Sequence, residues 1–316
     1  MSERRSLGIV ERAVLETLDR LGARADRTHV KNARIVQALA DDHEVSPKYG
    51  YDALCTLAQP WLLHLPLVDF HGNYGSADEG DRPANPRYTE SRLSTAGTLT
   101  LAAERGAGPQ VPVALINGDL HVDGLAPPFS PTRVITALLA LADDPRIDDE
   151  EIVERVGPPA SPTGSGVTCD LAALAAGAPT VMIQTAHLAV EQGDRGALIV
   201  LTHLPLGIGD DTIMRALADR ANARWHDLDD DSDDIDELIL PLRDVRNESH
   251  GDVTRIVCEL RPGAMLADCE QRIAGTWGVK VRREVQLSAP LARLVHDLID
   301  EDAVAQRSAL AALMAT

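Results

Sequence analysis

Arg87 and Tyr88 set a guanidinium beside a phenol. A phenol ordinarily ionises near ~10, so at neutral pH it attacks effectively only with positive charge or a base close by. Taken alone, the dipeptide reads as a surface arginine next to a packed tyrosine. Six of the nine aromatic residues (Tyr49, Tyr51, Trp61, Phe70, Tyr74 and Tyr88) lie between 49 and 88, which marks either a local core or a site. Other groupings offer less. The stretch DLDDDSDDIDE at 227–237 holds eight acids, but it lacks the glycine and the spacing of a calcium loop and reads as a solvated loop. Cys55, Cys169, Cys258 and Cys269 stand too far apart for a CxxC pair and read as reduced, mostly buried thiols. No GxxxxGK[ST] phosphate loop is found, and no residue set is assigned to a metal.

The chain of 316 residues is long enough for one large domain or two ordinary ones, and its 44% hydrophobic and 25% charged residues are those of a folded globular protein. Its formal charge of −19 argues against independent, nonspecific binding to nucleic acid or to an anionic membrane. That charge is uneven. Residues 1–34 carry eight bases against five acids, about +3, which leaves about −22 for the remainder. No apolar run reaches the ~18 residues that span a bilayer, and the start MSERRSLGIVERAV lacks a signal-peptide core, so the expected location is the cytoplasm, with no membrane contact.

The elements that would position Tyr88 read as follows. Apolar residues at three- and four-residue spacing predict a helix over 8–21 stopped by Gly22, and a second over 28–40 with Thr28 as its cap. Ser46-Pro47 opens a third that carries Tyr51, Leu54 and Cys55 toward Pro60. Three helices followed by the turn-rich LPLVDFHGNYGS at 65–76 suggest a helix-turn-helix with a β-wing. Beyond 110 the pattern predicts strands at 111–118, 198–206 and 254–260 and helices at 130–144, 209–223 and 263–275, a mixed α/β region with a fixed connection at 157–166 and a helical tail over 289–315.

The segment PLVDFHGNYGSADEGDRPANPRYTESRL at 66–93 resembles the active-site segment of type IIA DNA topoisomerase A subunits (DNA gyrase and topoisomerase IV), in which VDGxGNFGS precedes RYTExRL. Upstream, VERAVLETLDRLG, KNARIVQALADDH and YDALCTLAQP resemble the family's preceding helices. Downstream, GPPASPTG, LTHLPLGIGDDTIMRALA and LRDVRNESHGDVTRIVCELRPGA resemble its second domain, the tower. The resemblance covers roughly residues 8–300 and implies an α+β fold, with a winged-helix (helix-turn-helix) DNA-cleavage domain at 1–125, an α/β tower domain at 126–300 and a helical tail at 301–316. The coiled coil and C-terminal gate of longer members are expected to be lacking.

By position, the resemblance makes Tyr88 the nucleophile that attacks a DNA phosphodiester. Arg87 and Arg12 would stabilise the added negative charge, and Lys31, Arg34, Lys48 and Arg92 would contact DNA. It further implies a B-type partner that holds Mg2+ and hydrolyses ATP, and a homodimer through the winged-helix face. The alternative expectations are a noncatalytic gyrase-like decoy or regulator, and a winged-helix DNA-binding or scaffold protein. The chain departs from the family where HPHGD gives way to HEVSPKYGYD, where a basic tower stretch becomes the neutral AAGAPTVMIQTA, and where the segment with a DNA-inserting isoleucine shrinks to DLHVDGLAPP, with Val122 and Leu125 as candidate substitutes.

Overall fold

The computed structural model describes residues 7–77, 81–118, 128–194, 196–222, 240–250 and 253–315. The acidic run at 227–237 and the candidates Val122 and Leu125 lie outside them.

The chain opens with α1 (Ile9–Arg20), whose Ala13, Val14, Leu15 and Leu18 form the buried stripe seen in the sequence. Gly22 follows at φ +74, a left-handed conformation that costs glycine least. α2 (Asn32–His43) and α3 (Pro47–Thr56) pack against α1 through Ile35, Leu39, Leu54 and Cys55. Ser46 caps α3 by accepting the Tyr49 N–H, and Pro47 occupies the first turn, where its missing N–H is no loss. The second helix departs from expectation. It begins at Asn32, not near Thr28, because Val30 and Lys31 form a short strand, β1 (Val30–Lys31), opposite Ser91 and Glu90. The third ends at Thr56, with Leu57 and Ala58 buried in the turn that follows.

Strands β2 (Val68–His71) and β3 (Glu90–Leu93) complete an antiparallel sheet in the order β1-β3-β2. Next come α4 (Thr95–Glu104) and α5 (Val113–Asn117). The sequence 111–118, expected as a strand, is therefore a helical turn. Its residues Val113, Leu115, Ile116 and Asn117 are buried while Ala114 is exposed, and so short an apolar run carries no period that separates helix from strand.

The helices α6 (Pro131–Asp143) and α7 (Asp149–Val156) lead to β4 (Gly166–Thr168), α8 (Leu171–Ala175) and β5 (Thr180–Thr185). A four-stranded antiparallel sheet follows in the order β6-β7-β9-β8, from β6 (His187–Gly193), β7 (Gly196–Thr202), β8 (Leu242–Asn247) and β9 (Ile256–Leu260). Helices α9 (Asp210–Asn222) and α10 (Leu266–Ala274) cover it, with Ile213, Leu217, Cys269 and Ile273 set against Ile199, Leu201, Ile256 and Cys258. The chain closes with β10 (Lys280–Val285), which pairs with β5, and with α11 (Leu291–His296) and α12 (Ala303–Met314).

The fold is α+β, with two cores. One runs from Leu15 and Leu54 through Ile135 and Leu138 of α6 to Leu291, Leu310 and Leu313, so the last helices return to the first part of the chain. The other belongs to the four-stranded sheet and its helices. No helix among the described residues is long and apolar enough to cross a membrane.

Candidate functional site

Tyr88 sits in a turn at 86–88 that leads into β3, and its side chain is 75% exposed. The turn is closed by local bonds: the Tyr88 N–H donates to the Asn85 carbonyl at 2.8 Å, and the Arg87 N–H to Asn85 Oδ1 at 3.1 Å. It is also fastened to α2. The first turn of a helix has N–H groups with no partner inside the helix. Here the Asn32 N–H donates to the Thr89 carbonyl and the Ala33 N–H to the Pro86 carbonyl, each at 3.0 Å. The two N–H groups thus hold the tyrosine turn.

Beneath the turn lies a buried polar cluster. Asn32 Nδ2 donates to Thr89 Oγ1 at 2.9 Å and also to the Tyr74 hydroxyl. Tyr51 Oη donates to the Ala84 carbonyl at 2.5 Å and lies 3.0 Å from Thr89 Oγ1, while Tyr74 Oη meets Ser91 Oγ and the Glu90 carbonyl. Asn32, Thr89, Ser91 and Tyr74 are at most about 1% exposed. Burial pushes the Tyr51 hydroxyl up to about 12 and raises that of Tyr74, so both stay protonated as donors at neutral pH. Burial likewise lifts the neighbouring Cys55 thiol to about 12, which leaves it inert.

Gly72 explains how two backbones approach behind the tyrosine. It has φ +107, and a Cβ there would lie 3.0 Å from the Tyr88 carbonyl oxygen. Gly75 is similar, at φ +83 with a would-be Cβ 2.4 Å from the Asp81 carbonyl. These are the two glycines of HGNYGS.

The candidate cations fall into two groups. Arg87, Arg34 and Lys48 are exposed, and no ion pair is formed with any of them among the described residues. Lys31 is paired with Glu90 at 2.8 Å, and its hydrogen bond holds the Glu90 carboxyl below the usual range. Arg92 is bound to Asp69 Oδ2 at 2.7 Å and to the Arg27 carbonyl at 2.8 Å. Arg12 forms its ion pair with Glu104 of α4, a nearly buried carboxylate; the structure gives it no contact with Tyr88. Of the expected catalytic set, the structure joins only Arg87 to Tyr88, as its chain neighbour.

Beside this sheet the rings of His29 and His71 stack with centroids 3.8 Å apart, and His29 Nε2 lies 3.3 Å from Asp69 Oδ2. Even so, no group of three or more His, Cys, Asp or Glu among the described residues is placed to hold a metal ion. A larger cleft of about 810 Å³ separates the HGNYGS segment from the four-stranded sheet, with Trp61, Asn73, Thr163, His203, Asn247 and His250 on its walls.

Asn32, Thr89, Tyr51 and Tyr74 went unmarked as site residues in the sequence. A faint signal existed, since each lies inside a motif or aromatic cluster noted there, yet their contacts join positions 38 to 57 apart. Chemically, the arrangement offers a protruding phenol on a fixed turn, next in sequence to a guanidinium that no described carboxylate engages, a geometry suited to an anionic electrophile.

The tyrosine turn lies in a part of the chain that resembles known proteins. The family model for the A chain of DNA gyrase/topoisomerase IV matches residues 7–105, which include the whole tyrosine turn. The gyrase A protein of Granulibacter bethesdensis is 30% identical over 287 residues, 81% of this chain and 28% of that protein. That of Thermotoga maritima is 30% identical over 79% of this chain and 33% of its own length. That of a Synechocystis species is 32% identical over 81% of this chain and 32% of its own. The chain spans about a third of the length of these curated relatives. Related over about four fifths of its residues, the chain belongs to the family of DNA gyrase and topoisomerase IV A subunits.

Proposed function

We propose that this chain is the DNA-cleaving A-type component of a type IIA topoisomerase, in which Tyr88 breaks and rejoins DNA. In the forward step Tyr88 Oη attacks a backbone phosphorus. The P–Oη bond forms as one P–O(deoxyribose) bond breaks, the phenolic proton is lost, and the released deoxyribose oxygen takes up a proton. The reverse step restores both bonds, so the phosphotyrosyl link conserves the energy of the broken one. Arg87 is positioned by sequence to stabilise the extra negative charge on phosphorus. Arg12 enters this role only if it leaves Glu104.

In this reading α1–α3 and the β1-β3-β2 sheet form the winged helix and the four-stranded sheet with its helices belongs to the tower. Mg2+ and ATP are assigned to a B-type partner, and a second copy of the chain joins at the winged-helix face. The observation that carries the reading is the 75% exposed Tyr88 on a turn fastened from behind, within the segment that matches the family.

The test is to incubate the protein with supercoiled plasmid, Mg2+ and a gyrase B protein, denature, and look for protein-linked breaks. Wild type is expected to give them and Tyr88→Phe none. If both leave the DNA intact, cleavage is not the function, and inhibition of authentic gyrase in the same tubes would then identify a decoy.

A further inference from the structure

The contacts of the Tyr51 and Thr89 hydroxyls fix the direction of each hydrogen bond between them. Tyr51 Oη has a single proton, and the Ala84 carbonyl, which can only accept, takes it at 2.5 Å. The 3.0 Å contact between Tyr51 Oη and Thr89 Oγ1 must then be donated by Thr89. Thr89 Oγ1 in turn accepts from Asn32 Nδ2 at 2.9 Å, and an amide nitrogen can only donate. The result is a directed chain: Asn32 Nδ2 to Thr89 Oγ1, Thr89 to Tyr51 Oη, Tyr51 to the Ala84 carbonyl. Each link has its one proton and its one acceptor. The second Asn32 proton goes to Tyr74 Oη, which passes its own toward Ser91 Oγ or the Glu90 carbonyl.

This chain joins the two flanks of the tyrosine turn. Ala84 precedes it and Thr89 follows it, and one hydroxyl, Tyr51 Oη on α3, touches both. From the other side, α2 holds the carbonyls of Pro86 and Thr89 through the N–H groups of Ala33 and Asn32. Every anchor lies within four residues of Tyr88, yet none touches its phenol, which stands in solvent. We infer that Tyr51, Thr89 and Asn32 are positioning residues that fix the direction of the Tyr88 phenol, through a one-way hydrogen-bond chain joining residues 84 and 89. This rests on the proposed role of Tyr88.

Tyr51→Phe and Thr89→Val each remove one hydroxyl with little change of shape. Single-turnover cleavage at saturating DNA is expected to slow by about 10- to 100-fold in either variant, the scale on which ångström misplacement of a reacting group acts. The affinity for DNA should stay within about twofold, and Thr89→Ser, which restores a hydroxyl, should recover most of the loss. The double variant should be about as slow as either single one, because one chain is broken in both. Hydrogen exchange of the amides of Asn85, Arg87, Tyr88 and Thr89 in the isolated protein is the readout that does not depend on cleavage, and it should quicken in both variants. Wild-type exchange in both variants, or slowed cleavage matched by an equal loss of DNA affinity, would overturn the inference. Quickened exchange in a protein whose wild type never links to DNA would instead leave the positioning intact and remove the proposed nucleophile.

Discussion

His29 is a side chain packed against the first sheet. It is 7% exposed, stacked on His71, with Asp69 and Arg92 against the same edge. Burial lowers its pKa first, and the neighbouring His71 and Arg92 add to this while Asp69 opposes them. His64, half-buried against the Ala160 carbonyl, is lowered for the same principal reason. The sign follows from proton counting. When the folded pKa lies below the unfolded value of about 6.5, the unfolded chain binds more protons in the window between them, so stability falls as pH falls through it. Thermal melts should hold steady above about pH 7 and decline below about 6.5. His29→Gln should flatten part of that decline and leave the remainder to His64. An unchanged slope in His29→Gln would show that His29 does not carry the pH dependence. None of this was visible in the sequence, where 29 and 71 are simply two of ten histidines.

At the scale of elements, α5 shows how a short piece of chain is used as a clamp. Asn117, at its end, is buried, and its Oδ1 accepts the Leu65 N–H while its Nδ2 donates to the Leu65 carbonyl, both at 2.9 Å. The side chain imitates a strand neighbour for Leu65, three residues before β2. Asn117→Ala would strand both Leu65 groups inside the core, and each buried group without a partner costs about 1–3 kcal/mol. A loss of about 2–4 kcal/mol is expected in chemical denaturation, and Asn117→Asp, which keeps the acceptor but loses the donor, should fall between. A cost under about 0.5 kcal/mol would mean that water replaces the clamp. This element also marks where local sequence fails. Ser46-Pro47 specifies the start of α3 by capping chemistry that acts within three residues, and the structure follows it. VPVALING has no such signal; its helical form is imposed by contacts with Leu65 and with Phe129, whose N–H donates to Leu115. Likewise the strand at Val30–Lys31 exists because Ser91 and Glu90, some 60 positions on, lie opposite it.

Across the whole molecule, the charge of −19 conceals a sorting of cations that only the fold reveals. The sequence grouped Lys31, Arg34, Lys48 and Arg92 together as contacts for DNA. The fold engages Lys31 with Glu90 and Arg92 with Asp69, just as it engages Arg12 with Glu104, 92 positions away, whereas Arg34, Lys48 and Arg87 stand exposed on the elements that carry and brace the tyrosine turn. On the far sheet the sorting is complete in another way: Arg255 is held by Glu191 and Glu248, and Arg246 by Asp244, Glu248 and Glu259. A cation already neutralised by a carboxylate releases few counterions when a phosphate arrives, because the carboxylate must first be displaced. An unengaged one releases nearly a full counterion, about 0.9 per phosphate on duplex DNA. The salt dependence of binding therefore reads out the sorting directly. With a short labelled duplex, the slope of log affinity against log salt should lose about 2 in magnitude in the double variant Arg34→Gln, Lys48→Gln. Lys31→Gln should change it by well under about 1, although it removes the same formal charge as either single change. Equal losses from Lys31→Gln and Arg34→Gln would mean that the Glu90 pair opens freely on DNA, and that the net charge, rather than its arrangement, governs how this chain meets the duplex.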